Sequence, residues 1–238
     1  MTGVMKVTVR RVLAMSRMVA LASAIAFATL PAFAVENARS ELDAALRSTP
    51  NFDHGAQLFR NCAVCHGSNG QGTPDGGVAR IAGQHAAVIA KQLVDYRHDR
   101  RWDIRMEHFA DQHHLVNPQS IMDIASYVHE LAADSPPGVG DGEGVQHGSE
   151  LYSARCASCH GSAGEGNAAK LIPRVAGQHY EYVMRQIYDA VDGRRPNMSR
   201  AHVKMFAKLD RDDIVGVSDF LSRLGSRPIA TSVDESTR

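Results

Sequence analysis

The sequence predicts an all-α protein made of two copies of one small helical domain in tandem. Three observations predict it. Residues Cys62 to Leu115 align without a gap to the residues 94 positions later, with identities at Arg80/Arg174, Ala82-Gly83-Gln84-His85/Ala176-Gly177-Gln178-His179, Gln92/Gln186, Asp95/Asp189 and Arg100-Arg101/Arg194-Arg195. Apolar residues recur at helical spacing, and no stretch sustains the period-two alternation of a strand. The segment AADSPPGVGDGEGVQ over 132–146, with Pro-Pro and four glycines, reads as a linker between the copies.

The elements follow in order. Phe52 to Asn61 is a short amphipathic helix, matched by His147 to Arg155. Glycine-rich loops follow at Gly67 to Gly77 and Gly161 to Gly166. Gln84 to His98 and Gln178 to Asp192 carry apolar residues on one helical face. Pro118 to Leu131 and Asp210 to Leu224 close the two domains, with Ile121, Ile124 and Tyr127 matched by Ile214, Val217 and Phe220; Asn117 and Asp210 are the candidate caps. The domain plan is 1–34 signal peptide, 35–49 N-terminal extension, 50–131 first domain, 132–146 linker, 147–225 second domain and 226–238 polar tail.

The first 34 residues have the pattern of a secretory signal. Lys6, Arg10, Arg11 and Arg17 make a positive start, Met18 to Leu30 is apolar but short for a membrane span, and Ala32-Phe33-Ala34 is an A-x-A cleavage pattern. The expected product is exported to a bacterial periplasm, with no transmembrane span after cleavage. The whole chain has 26 basic and 26 acidic residues; without the signal 22 basic residues face 26 acidic ones, a net charge of −4. That balance excludes a nucleic-acid binder, which would be clearly basic.

Chemistry enters with Cys62-Ala-Val-Cys65-His66-Gly67, which returns as Cys156-Ala-Ser-Cys159-His160-Gly161. C-x-x-C-H is the attachment signal of a c-type haem: two thiols bind the porphyrin and the histidine ligates iron. A shared zinc site would bring its second cysteine pair back within roughly 15–20 residues, and these pairs are 94 apart. A dithiol oxidoreductase has no need of His-Gly after each pair. The two motifs use all four cysteines, so two covalently attached haem c groups are expected, through Cys62, Cys65, His66, Cys156, Cys159 and His160.

Helix, C-x-x-C-H-G, glycine-rich loop, A-G-Q helix, ligand loop and terminal helix together resemble a class I cytochrome c domain. Two in tandem behind a signal peptide resemble the dihaem cytochrome c4 family, over about residues 50–225. The resemblance implies an all-α fold of two tandem class I cytochrome c domains related by internal duplication. It implies a methionine as the sixth ligand of each iron. Met106, Met198 and Met205 are the candidates, but none recurs in register. A histidine does: His108 and His202 each lie 42 residues after their proximal histidine and seven before Leu115 or Leu209. The expectation is therefore bis-histidine ligation, His66/His108 and His160/His202, with the methionines as rivals. The resemblance also makes the carbonyl of Pro173 the acceptor for His160, with Ala79 in that place for His66. Arg80 and Arg174, with Arg100-Arg101 and Arg194-Arg195, are candidate propionate ligands, because guanidinium matches carboxylate with paired hydrogen bonds.

The function expected is single-electron transfer between periplasmic or membrane-bound redox proteins serving as donor and acceptor, rather than catalysis. The alternative is a peroxidase-like enzyme or small-ligand sensor in which a distal histidine dissociates. A cytochrome subunit of a larger redox enzyme shares the transfer chemistry.

Overall fold

The computed structural model describes residues 37–225; the proposed signal peptide and polar tail lie outside them. From Leu42 onward the described chain forms one compact unit. A helical stretch over 37–47 comes first. The first domain holds α1 (Phe52–His66), α2 (Ala86–Arg97), α3 (Ile104–Ala110) and α4 (Pro118–Glu130). The second holds α5 (Val145–Arg155), α6 (Ala157–His160), α7 (Tyr180–Val191), α8 (Arg200–Phe206) and α9 (Arg211–Arg223), with a 3₁₀ turn at Ala168–Lys170. The described residues contain no strand, only an isolated bridge between Asn167 and Ile172.

In each domain the first and last helices cross at close range, and glycine permits it. A Cβ on Gly55 would lie 2.3 Å from the Asp123 carbonyl oxygen of α4; one on Gly148 would lie 2.0 Å from that of Gly216 on α9. Above the crossing one aromatic pair is repeated. Phe59 meets Tyr127 and Tyr152 meets Phe220, each with ring centroids 5.4 Å apart. Both closing helices start where the sequence places caps. Asn117 accepts from the Ser120 N–H with Pro118 at the first turn, and Asp210 forms a reciprocal capping box with Asp213. Ile121 and Ile124, like Ile214 and Val217, are buried in the two cores.

The first helix of the repeat is not copied intact. Phe59 precedes Cys62 by three residues, whereas Tyr152 precedes Cys156 by four. The extra residue is absorbed by breaking the helix at Cys156, which separates α5 from α6.

The segment between the domains is sewn down. Asp219 on α9 accepts from the Gly140 and Gly142 N–H groups, and Arg223 donates to the Gly140 carbonyl. Arg80 of the first domain donates to the Ser135 carbonyl.

Candidate functional site

Each C-x-x-C-H motif ends a helix, and the following glycine turns the chain. Gly67 and Gly161 have φ of 75° and 82°, a left-handed conformation that costs glycine nothing, while their N–H groups bond back to Ala63 and Ala157. The loop then returns under the histidine: the Gly72 and Gly166 N–H groups donate to the His66 and His160 carbonyls. This brings Ala79 and Pro173 to the two rings. His66 Nδ1 donates to the Ala79 carbonyl at 2.9 Å and His160 Nδ1 to the Pro173 carbonyl at 3.0 Å. Nε2 of each ring is left for a metal. Burial holds both histidines below the ordinary imidazole range, partly opposed by these carbonyls, so both rings are neutral and competent as ligands.

All four cysteines are unpaired thiols. Burial, then the neighbouring Cys65, pushes Cys62 up to about 11; burial raises Cys156 as well. A dithiol redox motif needs the opposite shift, toward thiolate.

Opposite His160, the structure brings His202. The two ring centroids are 6.0 Å apart, and Phe206 supports His202 at 5.0 Å. Burial, then His160 and Arg195, depresses the His202 pKa.

His66 has no such partner in His108. Among the described residues there is no His66–His108 ring contact; His108 is exposed and turns to Phe109 at 5.1 Å and His114 at 4.7 Å. The cause is a register slip that an ungapped repeat conceals. The caps of α3 and α8, Asp103 and Ser199, are 96 residues apart rather than 94. The second domain spends two more residues before this helix and three fewer after it. On the helices themselves, Met106 therefore occupies the position of His202, third from the start, and His108 occupies that of Lys204. Met106 is half-buried. Met198 precedes α8, and Met205 lies on it beside Ala201, Lys204 and Lys208, lining a different hollow.

The recurring A-G-Q-H element joins the domains. The Gln178 amide accepts from the Arg80 N–H at 2.9 Å and donates to the Arg80 carbonyl at 2.8 Å. Gln84 does the same to Arg174, at 2.9 Å for both bonds. His85 reaches the Glu165 carbonyl at 2.8 Å and His179 the Gln71 carbonyl at 2.7 Å. Recurrence marked these residues in the sequence; their purpose was hidden because the Gln and His side chains of each copy reach into the other copy.

The same contact concentrates positive charge. Arg80 and Arg174 line a cleft of about 640 Å³. Arg101 is buried over the Tyr96 ring and donates to Gln92, Tyr182 and Gln186. Burial, then Arg101, brings Arg195 down to about 10, so it stays a cation at neutral pH. The buried Nε atoms of Arg80 and Arg195 have no partner.

The family model described as Cytochrome c matches residues 52–132 and again 145–225. The chain belongs to the cytochrome c family. It is 28% identical over 171 residues to cytochrome c4 of Pseudomonas aeruginosa, an alignment covering 68% of this chain and 83% of that protein. It is 26% identical over 178 residues to a thiosulfate dehydrogenase electron acceptor of Stutzerimonas stutzeri, covering 70% and 80%. The crystal structure of reduced cytochrome c4 from Pseudomonas stutzeri superposes with a TM-score of 0.65 at 25% identity, covering 74% of this chain and all of that one. The chain is thus a dihaem class I cytochrome similar to cytochrome c4, with two covalently bound haem c groups and a role in electron transfer.

The residues fit that cofactor. Two pairs of unpaired thiols stand beside neutral histidines with Nε2 unused. Two orphaned arginine Nε atoms lie at the domain contact, where carboxylates would satisfy them. The His160 and His202 rings, with centroids 6.0 Å apart, are close enough that both could hold one metal at the usual nitrogen–metal distance of about 2 Å.

Proposed function

We propose that this cytochrome is a periplasmic carrier of single electrons between redox proteins, with unlike axial pairs: His66 with Met106 in the first domain and His160 with His202 in the second. The observation that carries the reading is the 6.0 Å approach of His202 to His160, against the exposed, averted ring of His108. Haem supplies a one-electron iron couple whose potential its axial ligands set.

The protein's own part is to fill both axial faces, keep the proximal rings neutral and hold the domains at fixed separation. Pro173 and Ala79 orient the proximal rings, and a ring so anchored is a better ligand. Methionine gives the higher potential and histidine the lower, so the two ligand sets make the second domain the electron donor to the first. Arg80, Arg174 and Arg195 hold the propionates across the domain contact, neutralising charge that would otherwise be buried.

The partners are redox proteins. A relative described as an electron acceptor of thiosulfate dehydrogenase supports that class. Export is supported by the pattern of residues 1–34, and among the described residues no helix is long and apolar enough to cross a membrane.

Low-temperature electron paramagnetic resonance and near-infrared absorption of the ferric protein test the ligand sets. The expected result is one histidine–methionine signature and one bis-histidine signature in equal amounts. Two identical signatures would overturn the asymmetry.

A further inference from the structure

We propose that His108, Asp111 and His114 form a surface binding site for a divalent late first-row transition-metal ion, of the Zn(II) and Cu(II) class. Each side chain offers one ligand atom, and the three atoms lie within 4.8 Å of one another. The two imidazoles stand edge to face, with centroids 4.7 Å apart. Asp111 Oδ1 is 3.0 Å from His114 Nδ1 and accepts from the His113 and His114 N–H groups at 2.8 and 3.1 Å. Those bonds fix the carboxylate while Oδ2 remains for a cation.

The backbone carrying the triad is held from behind. Arg97 on α2 donates to the Ala110, Asp111 and Leu115 carbonyls, and the Leu115 N–H closes on Asp111 at 2.9 Å. Metal–nitrogen and metal–oxygen bonds of about 2.0–2.2 Å place neighbouring donors roughly 3–3.5 Å apart. Donors already within 4.8 Å of one another have a short distance to close to reach that spacing. The exposed side of His108 leaves the remaining coordination positions to water.

The donor set selects the metal. Two imidazoles and one carboxylate suit Zn(II), Cu(II) and Ni(II), whereas Ca(II) and Mg(II) prefer all-oxygen shells. The second domain has no counterpart: in the register of α8, the positions of His108 and Asp111 are held by Lys204 and Ala207. The site therefore belongs to the first domain alone, and its first member follows Met106 by two residues.

Isothermal titration of the intact dihaem protein with Zn(II), with Cu(II) paramagnetic resonance in parallel, tests the site. One ion per chain is expected. Asp111→Asn and His114→Ala should each weaken it at least tenfold with both haem spectra intact, while His113→Ala should bind as the parent does. Undiminished binding in the first two variants, or equal loss in His113→Ala, would overturn the triad. His108→Ala separates this proposal from the axial assignment. An altered first-haem spectrum would overturn both together. An unaltered spectrum with undiminished Zn(II) binding would overturn the triad alone.

Discussion

The imidazole of His202 stands 6.0 Å from that of His160, centroid to centroid, with the planes at 70°. α8 delivers it there from a Ser199 cap, and Phe206 backs it one turn later. Under the proposed ligation, replacing His202 by methionine would keep the axial face filled but exchange an imidazole for a thioether, which favours ferrous iron. The potential of the second haem should rise by on the order of 100 mV, within the ~0.8 V that axial ligands span. His202→Ala should instead open that face, so that the reduced protein binds carbon monoxide rapidly at one haem of two. Potentiometry of each variant checks this; an unchanged second potential in His202→Met would remove His202 from the iron.

Met106 makes the reciprocal prediction. It holds on α3 the place that His202 holds on α8, three residues after the cap. Met106→His should lower the first potential by a similar amount and abolish the methionine-to-iron charge-transfer band. His108→Ala should leave that band in place. The reverse pattern would restore His108 as the ligand.

This pair shows where the sequence was legible and where it was not. The C-x-x-C-H motifs, the caps Asn117 and Asp210, and the acceptor carbonyls of Ala79 and Pro173 depend on short local spacing, and each lies where the sequence places it. The placement of the proposed distal ligands depends on loop lengths. Two residues gained before α8 and three lost after it nearly cancel, so an ungapped comparison still aligns Leu115 with Leu209 while misplacing the helix between. On the proposed ligand assignment, the recurrence of His108 in that comparison is a coincidence of count. The A-G-Q-H bracket was invisible for a different reason: its partners lie 80 to 108 residues away in the other copy.

Gly148 tests the crossing on which the second domain is built. An added methyl would meet the Gly216 carbonyl at 2.0 Å, and backbone cannot rotate out of the way as a side chain can. α5 and α9 would have to separate, loosening the seat of Tyr152 and Phe220. Gly148→Ala should cost about 2–3 kcal/mol, at the upper end of ordinary overpacking. Gly193→Ala is the comparison: its Cβ meets nothing within 4 Å, although its φ of 78° is unfavourable for alanine, so the cost should be about 1–2 kcal/mol. Guanidinium unfolding of the haem-loaded proteins gives both values. Equal losses would mean that the strain lies in backbone conformation rather than at the crossing.

His179 makes the domain contact sensitive to acid. Its ring is buried, at 1% exposure. Nε2 donates to the Gln71 carbonyl and Nδ1 accepts from the Gly138 N–H at 2.9 Å. That pattern needs the neutral ring: a second proton on Nδ1 would break the Gly138 bond and leave a cation near Arg80. Burial accordingly depresses its pKa, partly opposed by Gln71. The ordinary histidine value is about 6.5. Above it neither folded nor unfolded chain carries the proton, and this group gives no pH dependence. Below it the unfolded chain takes up a proton that folded His179 refuses, so stability falls as pH drops from about 6.5 toward the depressed folded value. One such group contributes a slope of up to about 1.4 kcal/mol per pH unit. His179→Gln should lower stability at pH 7 and flatten its decline between pH 6.5 and 5 by part of that slope. The parallel measurement on His85→Gln isolates the buried ring, because His85 makes the matching bond to Glu165 from a more open setting. An undiminished acid slope in His179→Gln would shift the sensitivity to other histidines.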